Sequence, residues 1–525
     1  QLDVLGSVTA TGNENTNPLA NFIGANMAMA GLIQTSNQTR LGRIVMTALN
    51  QINLRPESRV LANGDVGGTV LINARHLDVD GFIQSNGGTG RGGTITLDIE
   101  KTVDMNQAWI ESNGFDAGGT IKIQVRDGPL NMDSTRIQTN ASNGRGGTIL
   151  ISGREYTRIS SSHIETKGTS QGGEMYLGYD QDNQRIPFSK YLYISKNTIV
   201  DARNYNNTNG GFVETSGHVV NILATINVGR GGMWLIDPFD VTISNTASGD
   251  SYSANFDPTQ TTVLNYASIE ASLNAGTDVS ITTGSATANT LTVDMGIEVK
   301  SYSGATLTLT GGTIDINQNI TGDGVSLNLV LNGATIDIDN SISLVGGTLT
   351  INNSSSGDID SGSTISAGSI VKNGAGSFTI NSTGTMTSSS TINAGTLIAT
   401  ANAFGDEDVA VNTGGIFEIQ GFAYSSKGTI FLNGGTLSGT STTASITNDG
   451  TVVLQANSIL DVASGTTFTN NGNFGDAGNN YGITKNGAGT FIFSPPTTTA
   501  DRFNGNLDIN AGTFELTEAI GINGD

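Results

Sequence analysis

A pair of glycines that returns about every 26 residues is the feature that most constrains this chain. The pairs begin at Gly67, Gly92, Gly118, Gly146, Gly172, Gly210 and Gly231, with spacings of 25, 26, 28, 26, 38 and 21 residues. A regular period in this range is typical of architectures in which each repeat packs only on its neighbours. We therefore expect residues 1–245 to form one stack of similar coils.

Each period contains three short segments that alternate as β-strands do. The first follows the glycine pair, as at residues 94–97, and the second has a polar residue between two larger ones, as at residues 103–105. The third opens on an apolar residue and ends four positions later in a turn residue. Its opening residues are Val8, Ile33, Val60, Ile83, Ile110, Ile137, Ile164, Ile199 and Ile226.

Three strands per period, with no helix between them, predict an all-β fold, a right-handed parallel β-helix (β-solenoid) shaped as an elongated rod. Coils of this kind stack about 4.8 Å apart, so that backbone groups pair between coils and inward aliphatic side chains form columns. We place glycine at the corners, where sharp turns often need positive φ. Roughly 20 to 24 coils would fit the whole chain.

One step in the series is longer than the others. Ile164 and Ile199 are 35 residues apart, eight more than the usual 27, and the surplus falls in the polar stretch 179–190, which contains Pro187. We predict a surface loop there.

The pattern changes near Pro238, which removes a ladder donor and ends the regular repeat. One short helix is predicted near residues 266–275, with Asn265 as its N-cap and Gly276 as its stop. Strands resume afterwards with shorter spacing. The predicted division of the chain is a β-helix over 1–245, an irregular connection with the helix over 246–278, and a second β-helix with smaller, less regular coils over 279–525.

Composition excludes several classes of protein. The chain has 46 acidic against 24 basic side chains, a net charge of −22, which argues against a nucleic-acid partner. It has no cysteine, and hence no disulfide, and no apolar run long enough to predict a membrane span. Residues 1–12 lack the basic start and apolar stretch of a signal peptide, so we interpret the sequence as a piece of a longer protein.

Aspartates recur at equivalent places in adjacent repeats. Stacking would bring Asp78 within about 5 Å of Asp104, with Asp80, Asn106 and Asp133 in a neighbouring column. We interpret both columns as a solvated outer face. Calcium binding by these carboxylates and an acid–base pair for catalysis are the alternatives, and no other cofactor is expected.

Three arginines occupy the same Gly-Arg-Gly-Gly turn, namely Arg91, Arg145 and Arg230. A basic edge of this kind is a candidate contact for anionic glycans, although exposed corners tolerate any long side chain. Outward aromatic residues such as Trp109, Tyr191 and Tyr193 are candidates for stacking on sugar rings.

No catalytic or metal signature stands out in the sequence. His76, His163 and His218 are widely spaced, and no His-Glu-x-x-His segment occurs. A thiol nucleophile is impossible without cysteine, and no Gly-x-Ser-x-Gly elbow stands between a strand and a helix. We therefore predict a protein that is not an enzyme.

Several segments resemble a known family. Residues 231–238 (GGMWLIDP), 241–243 (VTI) and 268–279 (SIEASLNAGTDV) resemble the two-partner-secretion exoproteins, the filamentous haemagglutinin and high-molecular-weight adhesin group of Gram-negative bacteria. A doubled unit, KNGAG at 372–376 and 485–489, each followed by INAGT, is similar to the passenger-associated repeat of autotransporters. The resemblance implies an outer-membrane secretion transporter as a partner of the full-length protein, a β-helical shaft, and adhesion.

The resulting expectation is a secreted or cell-surface adhesin or fibre shaft, exposed outside the outer membrane, that attaches to glycans or proteins of host or bacterial surfaces. A self-associating extracellular filament or matrix protein is the alternative. A carbohydrate-active β-helix enzyme is a third reading, and it would need a carboxylate cleft.

Overall fold

The structure is a computed structural model of an all-β parallel β-solenoid with about 19 turns, in which 57 % of the residues are in strands and 2 % in one short helix. This confirms the predicted fold class. Two compact units, Gln1–Gly284 and Ser285–Asp525, are described in turn. The described residues are 2–11, 17–36, 41–245, 262–283, 289–421, 423–424, 428–441, 445–494 and 505–517.

Each regular coil of the first unit has three strand positions. In the early coils one long strand fills the first two positions, and in later coils two shorter strands do. These strands are Leu2–Val4, Leu19–Met29, Arg43–Leu54, Thr69–Val79, Thr94–Asn106, Thr120–Val125, Leu130–Asp133, Thr148–Gly153, Thr157–Ser160, Glu174–Leu177, Tyr191–Ile194, Phe212–Ser216, Val219–Ile222, Met233–Asp237, Val241–Ser244, Thr262–Asn265 and Asp278–Thr282.

The third position forms a separate nine-stranded parallel sheet. Its strands are Ser7–Thr11, Leu32–Ser36, Arg59–Leu61, Phe82–Gln84, Trp109–Glu111, Arg136–Gln138, His163–Glu165, Ile199–Asp201 and Ile226–Asn227. Ile83 pairs with Ile110, which pairs with Ile137, and all three side chains are fully buried. The predicted aliphatic column is therefore confirmed.

The prediction for Ile199 is wrong by one residue. Val200, not Ile199, pairs with Ile164 and is buried, whereas Ile199 pairs with His163 and is 52 % exposed. The long loop before this coil leaves the pairing register free to shift by one position. Because Ile199 and Val200 are both apolar and β-branched, the sequence pattern does not distinguish them.

Close approach of stacked backbones explains the glycine pairs. A Cβ built on Gly93 would lie 2.0 Å from the carbonyl oxygen of Gly68, and one on Gly68 would lie 2.2 Å from that of Gly42. Neither Gly68 nor Gly93 has positive φ. At Gly68 and Gly93 the pairs are thus required by the distance between coils rather than by the left-handed backbone that we expected at these corners. Gly231, with φ of +67° and no atom within 4 Å of a built Cβ, is the pair position that does need that backbone.

The helix Tyr266–Asn274 fills the place of a third strand. The side chain of its N-cap, Asn265, accepts a hydrogen bond from the Ala267 N–H, and Gly276 follows the helix with φ of +87°. The helix packs against Ile226–Asn227, with Ile269 and Leu273 fully buried. The predicted helix is confirmed, while the predicted irregular stretch that precedes it, 246–261, lies outside the described residues.

Residues 234–237 do not leave the ladder, contrary to the expectation that this segment ends the repeat. Met233–Asp237 pairs with Phe212–Ser216 on one side and with Asp278–Thr282 on the other. Trp234 is buried, and its indole N–H donates to Thr215 Oγ1 at 2.9 Å. Pro238 comes directly after the strand and so removes no ladder donor within it.

The second unit is built in the same way from shorter coils, as the pairing of Ala305 with Leu327 and of Gly395 with Gly415 shows. Its third-position strands are Ile297–Val299, Ile320–Gly322, Ile342–Ser343, Ile365–Ala367 and Gly384–Met386 in one sheet, and Ala423–Tyr424, Ser445–Asn448, Thr467–Asn470, Thr490–Phe493 and Thr513–Leu516 in another. The remaining strands are Thr290–Val293, Ala305–Ile316, Leu327–Ile338, Thr348–Asn353, Gly357–Ile359, Ser369–Asn373, Ser377–Ile380, Ser390–Ile392, Gly395–Ala399, Val409–Asn412, Gly415–Gln420, Ile430–Asn433, Thr436–Thr440, Val452–Ala456, Ser458–Val462, Phe474–Gly475, Ile483–Asn486 and Leu507–Ile509.

An asparagine ladder runs along one edge of the second unit. After the first member, which donates to Thr310 Oγ1, each side-chain amide donates to the amide oxygen of the residue one coil before it, at 2.6 to 2.9 Å. The members are Asn332, Asn352, Asn373, Asn393, Asn412 and Asn433. An amide carries both donors and acceptors, so one residue type can repeat on every coil and still be paired.

A buried lysine interrupts the aliphatic column of the second unit. Lys372 lies between Ile351 and Ile392 in register and is fully buried. Its Nζ donates to the carbonyl oxygens of Asn373 at 2.6 Å, Gly374 at 2.9 Å and Ala394 at 3.3 Å.

The second copy of the motif builds the same cage. Lys485 Nζ donates to the carbonyl oxygens of Asn486, Gly487 and Ala511 at 2.6, 2.9 and 3.3 Å. The doubled KNGAG and INAGT motifs therefore supply a lysine and the carbonyl groups that hold it, and they join two consecutive coils.

We predict that Ile110→Ala lowers the free energy of unfolding by about 2–5 kcal/mol, because a fully buried side chain leaves a cavity in the column. Urea denaturation of the purified chain measures the change. Ile199→Ala is the matched control, and its effect should stay within about 0.5 kcal/mol because that side chain is half exposed. Equal costs for the two variants would contradict the register described above.

We predict that Lys372→Met destabilises the second unit by about 1–3 kcal/mol, because three carbonyl acceptors lose their donor. Burial lowers the pKa of Lys372 to about 8. Between that value and the ordinary lysine pKa, the unfolded chain binds more protons than the folded chain, so stability rises with pH over this interval.

The measurement for Lys372 is unfolding at several pH values between about 7 and 10.5. The rise in stability with pH should be smaller in Lys372→Met than in the unsubstituted chain, where Lys372 and Lys485, whose pKa burial also lowers, both contribute. Lys300→Met, at an exposed lysine of the same unit, should keep it. A pH dependence identical in all three proteins would refute the assignment to Lys372.

Candidate functional site

A groove opens at the corner between the third strand of one coil and the first strand of the next. Its volume is about 350 Å³, within the range of small-molecule sites. We call it the corner groove, and its lining residues are Asn86, Gly87, Gly88, Asn113, Gly114, Phe115, Asn140, Ser142 and Tyr205. All of them belong to the first unit.

Three stacked asparagines form one wall of the corner groove. The Asn113 N–H donates to Asn86 Oδ1 and the Asn140 N–H donates to Asn113 Oδ1, both at 2.7 Å. The side-chain oxygens accept these hydrogen bonds, and the amide NH₂ groups take no part in them. The wall is thus held rigidly in place by the coil stacking itself.

The amide NH₂ groups of this wall are not equivalent. Asn86 Nδ2 donates to Glu111 Oε2 at 3.2 Å, and Asn140 Nδ2 donates to Glu165 Oε1 at 2.7 Å. The coil between those of Glu111 and Glu165 has a glutamine, Gln138, at the same register position. Asn113 therefore has an amide, and not a carboxylate, at the position where Asn86 and Asn140 find their acceptors. Within the described part of the chain, Asn113 Nδ2 has no hydrogen-bond partner, so an amide donor is available at the centre of the groove.

Two aromatic side chains border the corner groove. Phe115 is 44 % exposed and Tyr205 is 52 % exposed. The Tyr205 N–H donates to the carbonyl oxygen of Gly168, on the coil that separates Tyr205 from Asn140. Gly168 has no side chain, and this lets the tyrosine ring line the groove together with residues of earlier coils.

The predicted pairing of Asp78 with Asp104 is confirmed, as is that of Asn106 with Asp133. Asp78 accepts from Gln51 Nε2 at 2.6 Å and Asp104 accepts from Asn131 Nδ2 at 2.8 Å. Burial, and then the charges of Asp104 and Asp80, raise the pKa of Asp78 against the effect of Gln51. Amide neighbours thus relieve part of the repulsion along this column, and calcium binding there stays a prediction.

The three corner arginines differ in their surroundings. Arg145 forms an ion pair with Glu174, which uses the charge that an anionic glycan would need. Arg91 lines a shallow depression of about 240 Å³, together with Gly92, Gly93 and threonines of neighbouring coils. Arg230 lies next to Gly231, whose φ is +67°, and glycan binding by the three stays a prediction.

The outward aromatic residues also differ. Trp109 is 42 % exposed and contacts Phe82 edge to face at 5.4 Å between ring centroids. Arg136 lies 5.2 Å over the ring of Trp109, so that one face of the indole is already covered. Tyr193, by contrast, is only 3 % exposed, so the expectation of an outward ring at that position is wrong.

The predicted surface loop at 179–190 has no strand and is docked on the first sheet. Ile186 is buried with Leu150 and Tyr176, and the fully buried Asp180 forms an ion pair with Arg185. The loop also covers Glu214, whose carboxylate accepts from the Gln181 N–H at 3.1 Å. Burial raises the pKa of Glu214 to about 7.

Two acidic columns lie side by side in the second unit. Asp315, Asp337 and Asp358 are register partners on consecutive coils. Asp339 and Asp360 form the second column, and each comes directly after the end of a strand, at Ile338 and Ile359.

Burial, and then the neighbouring carboxylates, raise the pKa of each of the three paired aspartates. Among the described residues no basic side chain contributes to these shifts. Amides relieve part of the repulsion at the two ends of the column, since Asn317 lowers the pKa of Asp315 and Asn381 Nδ2 donates to Asp358 Oδ2 at 3.2 Å.

The described residues contain no group of three or more His, Cys, Asp or Glu side chains arranged to hold a metal ion. The histidines lie in separate surroundings: His76 contacts Thr102 Oγ1 at 2.8 Å, His163 contacts Glu165, and His218 stacks on Phe239. None of the helices in the described part of the chain has the length and apolarity to cross a membrane.

Sequence reasoning missed Phe115 and Tyr205, because neither belongs to a repeating column. The available signal was the corner sequence itself, in which Asn-Gly recurs at residues 86–87 and 113–114. Asparagines one period apart predict a ladder, and an aromatic residue directly after such a pair marks a place where the corner departs from the repeat.

No protein-family model matches the chain, and a search of curated proteins returned no match. What the fold and the site define is a class, the parallel β-solenoids with long columns of stacked side chains. This class is consistent with a β-helical adhesin or an autotransporter passenger.

We predict that Asp337→Asn stabilises the second unit near pH 7, because an amide removes one charge from the acidic column. A carboxyl whose pKa is raised by folding supports the fold at low pH, and its contribution is lost as the pH rises through the raised pKa. The gain should therefore shrink near pH 3.5, where the carboxyls of both states are largely protonated.

Thermal unfolding at the two pH values measures this effect. Asp323→Asn, outside the column, serves as the control and should change stability little at either pH. A destabilised Asp337→Asn chain at neutral pH would show that the column is held by a favourable contact instead of strained by repulsion.

Proposed function

We propose that this chain is part of the β-solenoid shaft of a secreted or cell-surface adhesin of a Gram-negative bacterium, which attaches the cell to other cells or surfaces. The observation that best supports this proposal is the continuous stack of coils within each unit, in which the strands of successive coils pair in parallel. Such a stack resists bending because each coil is hydrogen-bonded to the next.

The chemistry of the stack supports a place outside the cell. The chain has no cysteine and is cross-linked by backbone ladders and by side-chain ladders such as the asparagine column of the second unit. The segments that resemble two-partner-secretion exoproteins support an outer-membrane transporter as the partner of the full-length protein.

The proposal is non-enzymatic. Asp78 and Asp104 are the carboxylates that a catalytic mechanism would use, and they lie on adjacent strands of one sheet with amide partners, Gln51 and Asn131. A general acid needs a proton-donating position against a substrate bond. Their place in a column that continues from coil to coil favours a structural role.

We predict saturable adhesion of the purified chain to epithelial cells or to bacterial cells of the same kind, measured with fluorescently labelled protein. The heat-unfolded chain should lose this binding, because the surface depends on the stack. Electron microscopy of the same sample tests the alternative.

Absence of saturable binding, together with ordered polymers of the pure chain, would replace the adhesin with a self-associating filament. Turnover of a polyanionic sugar that is lost in Asp78→Ala would replace it with an enzyme.

A further inference from the structure

We infer that the corner groove is a binding site for a neutral saccharide, such as the exposed end of an uncharged glycan chain. This inference rests on the proposed function, since it assigns a ligand class to the adhesin. It goes beyond that function because it places the contact at a corner of the coils, away from the three arginines.

The polar groups of the corner groove suit sugar hydroxyls. Asparagine amides present donors and acceptors in a plane, and the Asn113 amide has a donor that no described residue uses. Asn86 and Asn140 flank it on the adjacent coils and are held by contacts to Glu111 and Glu165. A hydroxyl at the centre of the groove would therefore meet a fixed amide whose two N–H donors are unused by the described residues.

The aromatic residues suit the apolar faces of sugar rings. Phe115 and Tyr205 are both about half exposed while they line a concave site. Aromatic rings with one wet and one apolar side are favoured at binding interfaces. The groove thus combines convergent polar groups with apolar walls, the combination found in small-molecule sites.

Charge favours a neutral ligand over an acidic one. Apart from the Tyr205 phenol, the lining of the groove contains no ionisable side chain. Glu111 and Glu165 accept from the amides of the asparagine wall. The cation near Tyr205, Lys167, is paired with Glu165 and Asp201, and the chain carries a net charge of −22. An anionic sugar would meet repulsion without a cation of the lining to offset it.

Backbone pairing disfavours an extended peptide as the occupant. A peptide that adds a strand needs free backbone donors and acceptors. At the groove, the Gly87 N–H donates to the carbonyl oxygen of Asn113, and the Gly114 N–H to that of Asn140. The coil ladder therefore already uses these groups, and recognition must go through side chains.

Gly88 offers a direct way to fill the groove. A Cβ built on Gly88 would have the Gly64 carbonyl oxygen as its nearest atom, at 3.6 Å, and the backbone φ is not positive at this residue. A larger side chain here is therefore accommodated by the fold and occupies space that a ligand would use. Gly88→Leu is the blocking variant, and Tyr205→Ala removes an aromatic wall.

The experiment titrates the chain by calorimetry with lactose, maltotriose and chitotriose as neutral probes, and with sialyllactose and a heparin hexasaccharide as acidic probes. We expect at least one neutral probe to bind saturably. Its affinity should fall at least about tenfold, or about 1.4 kcal/mol, in both Gly88→Leu and Tyr205→Ala. Trp109→Ala removes an exposed ring outside the groove and should change the affinity less than about twofold.

Thermal unfolding of every variant separates a lost site from a lost fold, and an unfolded Tyr205→Ala leaves Gly88→Leu as the deciding variant. The inference is overturned if none of the neutral probes binds, if neutral binding is unchanged in Gly88→Leu, or if only acidic probes bind and Arg91→Ala abolishes that binding.

Cell adhesion is measured in parallel on the same proteins. Adhesion that Gly88→Leu retains in full would leave the proposed function standing and remove the groove from it, whereas a parent chain that does not adhere would remove the proposed function itself.

Discussion

Parallel pairing between coils places equivalent residues about 4.8 Å apart, and this repeat distance governs which side chains the structure tolerates. A side chain on an outer column has a near copy of itself above and below unless the sequence changes. Amides gain from this arrangement, as in the ladder that includes Asn352 and Asn373. Carboxylates lose, as at Asp337, where burial and then four neighbouring aspartates raise its pKa. The low share of charged residues, 13 %, follows from the same constraint.

Mixed columns show how the cost of charge is reduced. Where an aspartate has an amide on the next coil, the amide donates to it, as Asn131 does to Asp104 and Gln124 does to Asp98. Inside the stack, the inward Lys372 has no carboxylate partner among the described residues, and its ammonium group donates to three carbonyl oxygens. Carbonyl groups of two coils at the corner therefore serve where a counter-ion would otherwise be needed.

The period and the hydrophobic alternation were sufficient to predict the class of fold, the register of Ile83 with Ile110, and the helix capped by Asn265. They were insufficient where two different registers fit the same sequence pattern. Ile199 and Val200 are one such case, because both are apolar, and the one that faces inward depends on how the loop at 179–190 re-enters the stack. The coil count was overestimated for a related reason: the loop and the helix take up residues without adding a full three-stranded turn.

The sequence period could not predict the candidate site, for a different reason. A repeat predicts what successive coils share, whereas the corner groove exists where they differ. Phe115 and Tyr205 occur on coils whose neighbours have small residues at the facing corner, including Gly88, Ser142 and Gly168. Side chains on the strand faces are held to the ladder spacing, but corner loops can vary in length and composition without breaking the backbone pairing. Single-coil changes at corners are therefore the positions at which a stack of this kind can acquire a specific contact while its core and its ladders stay intact.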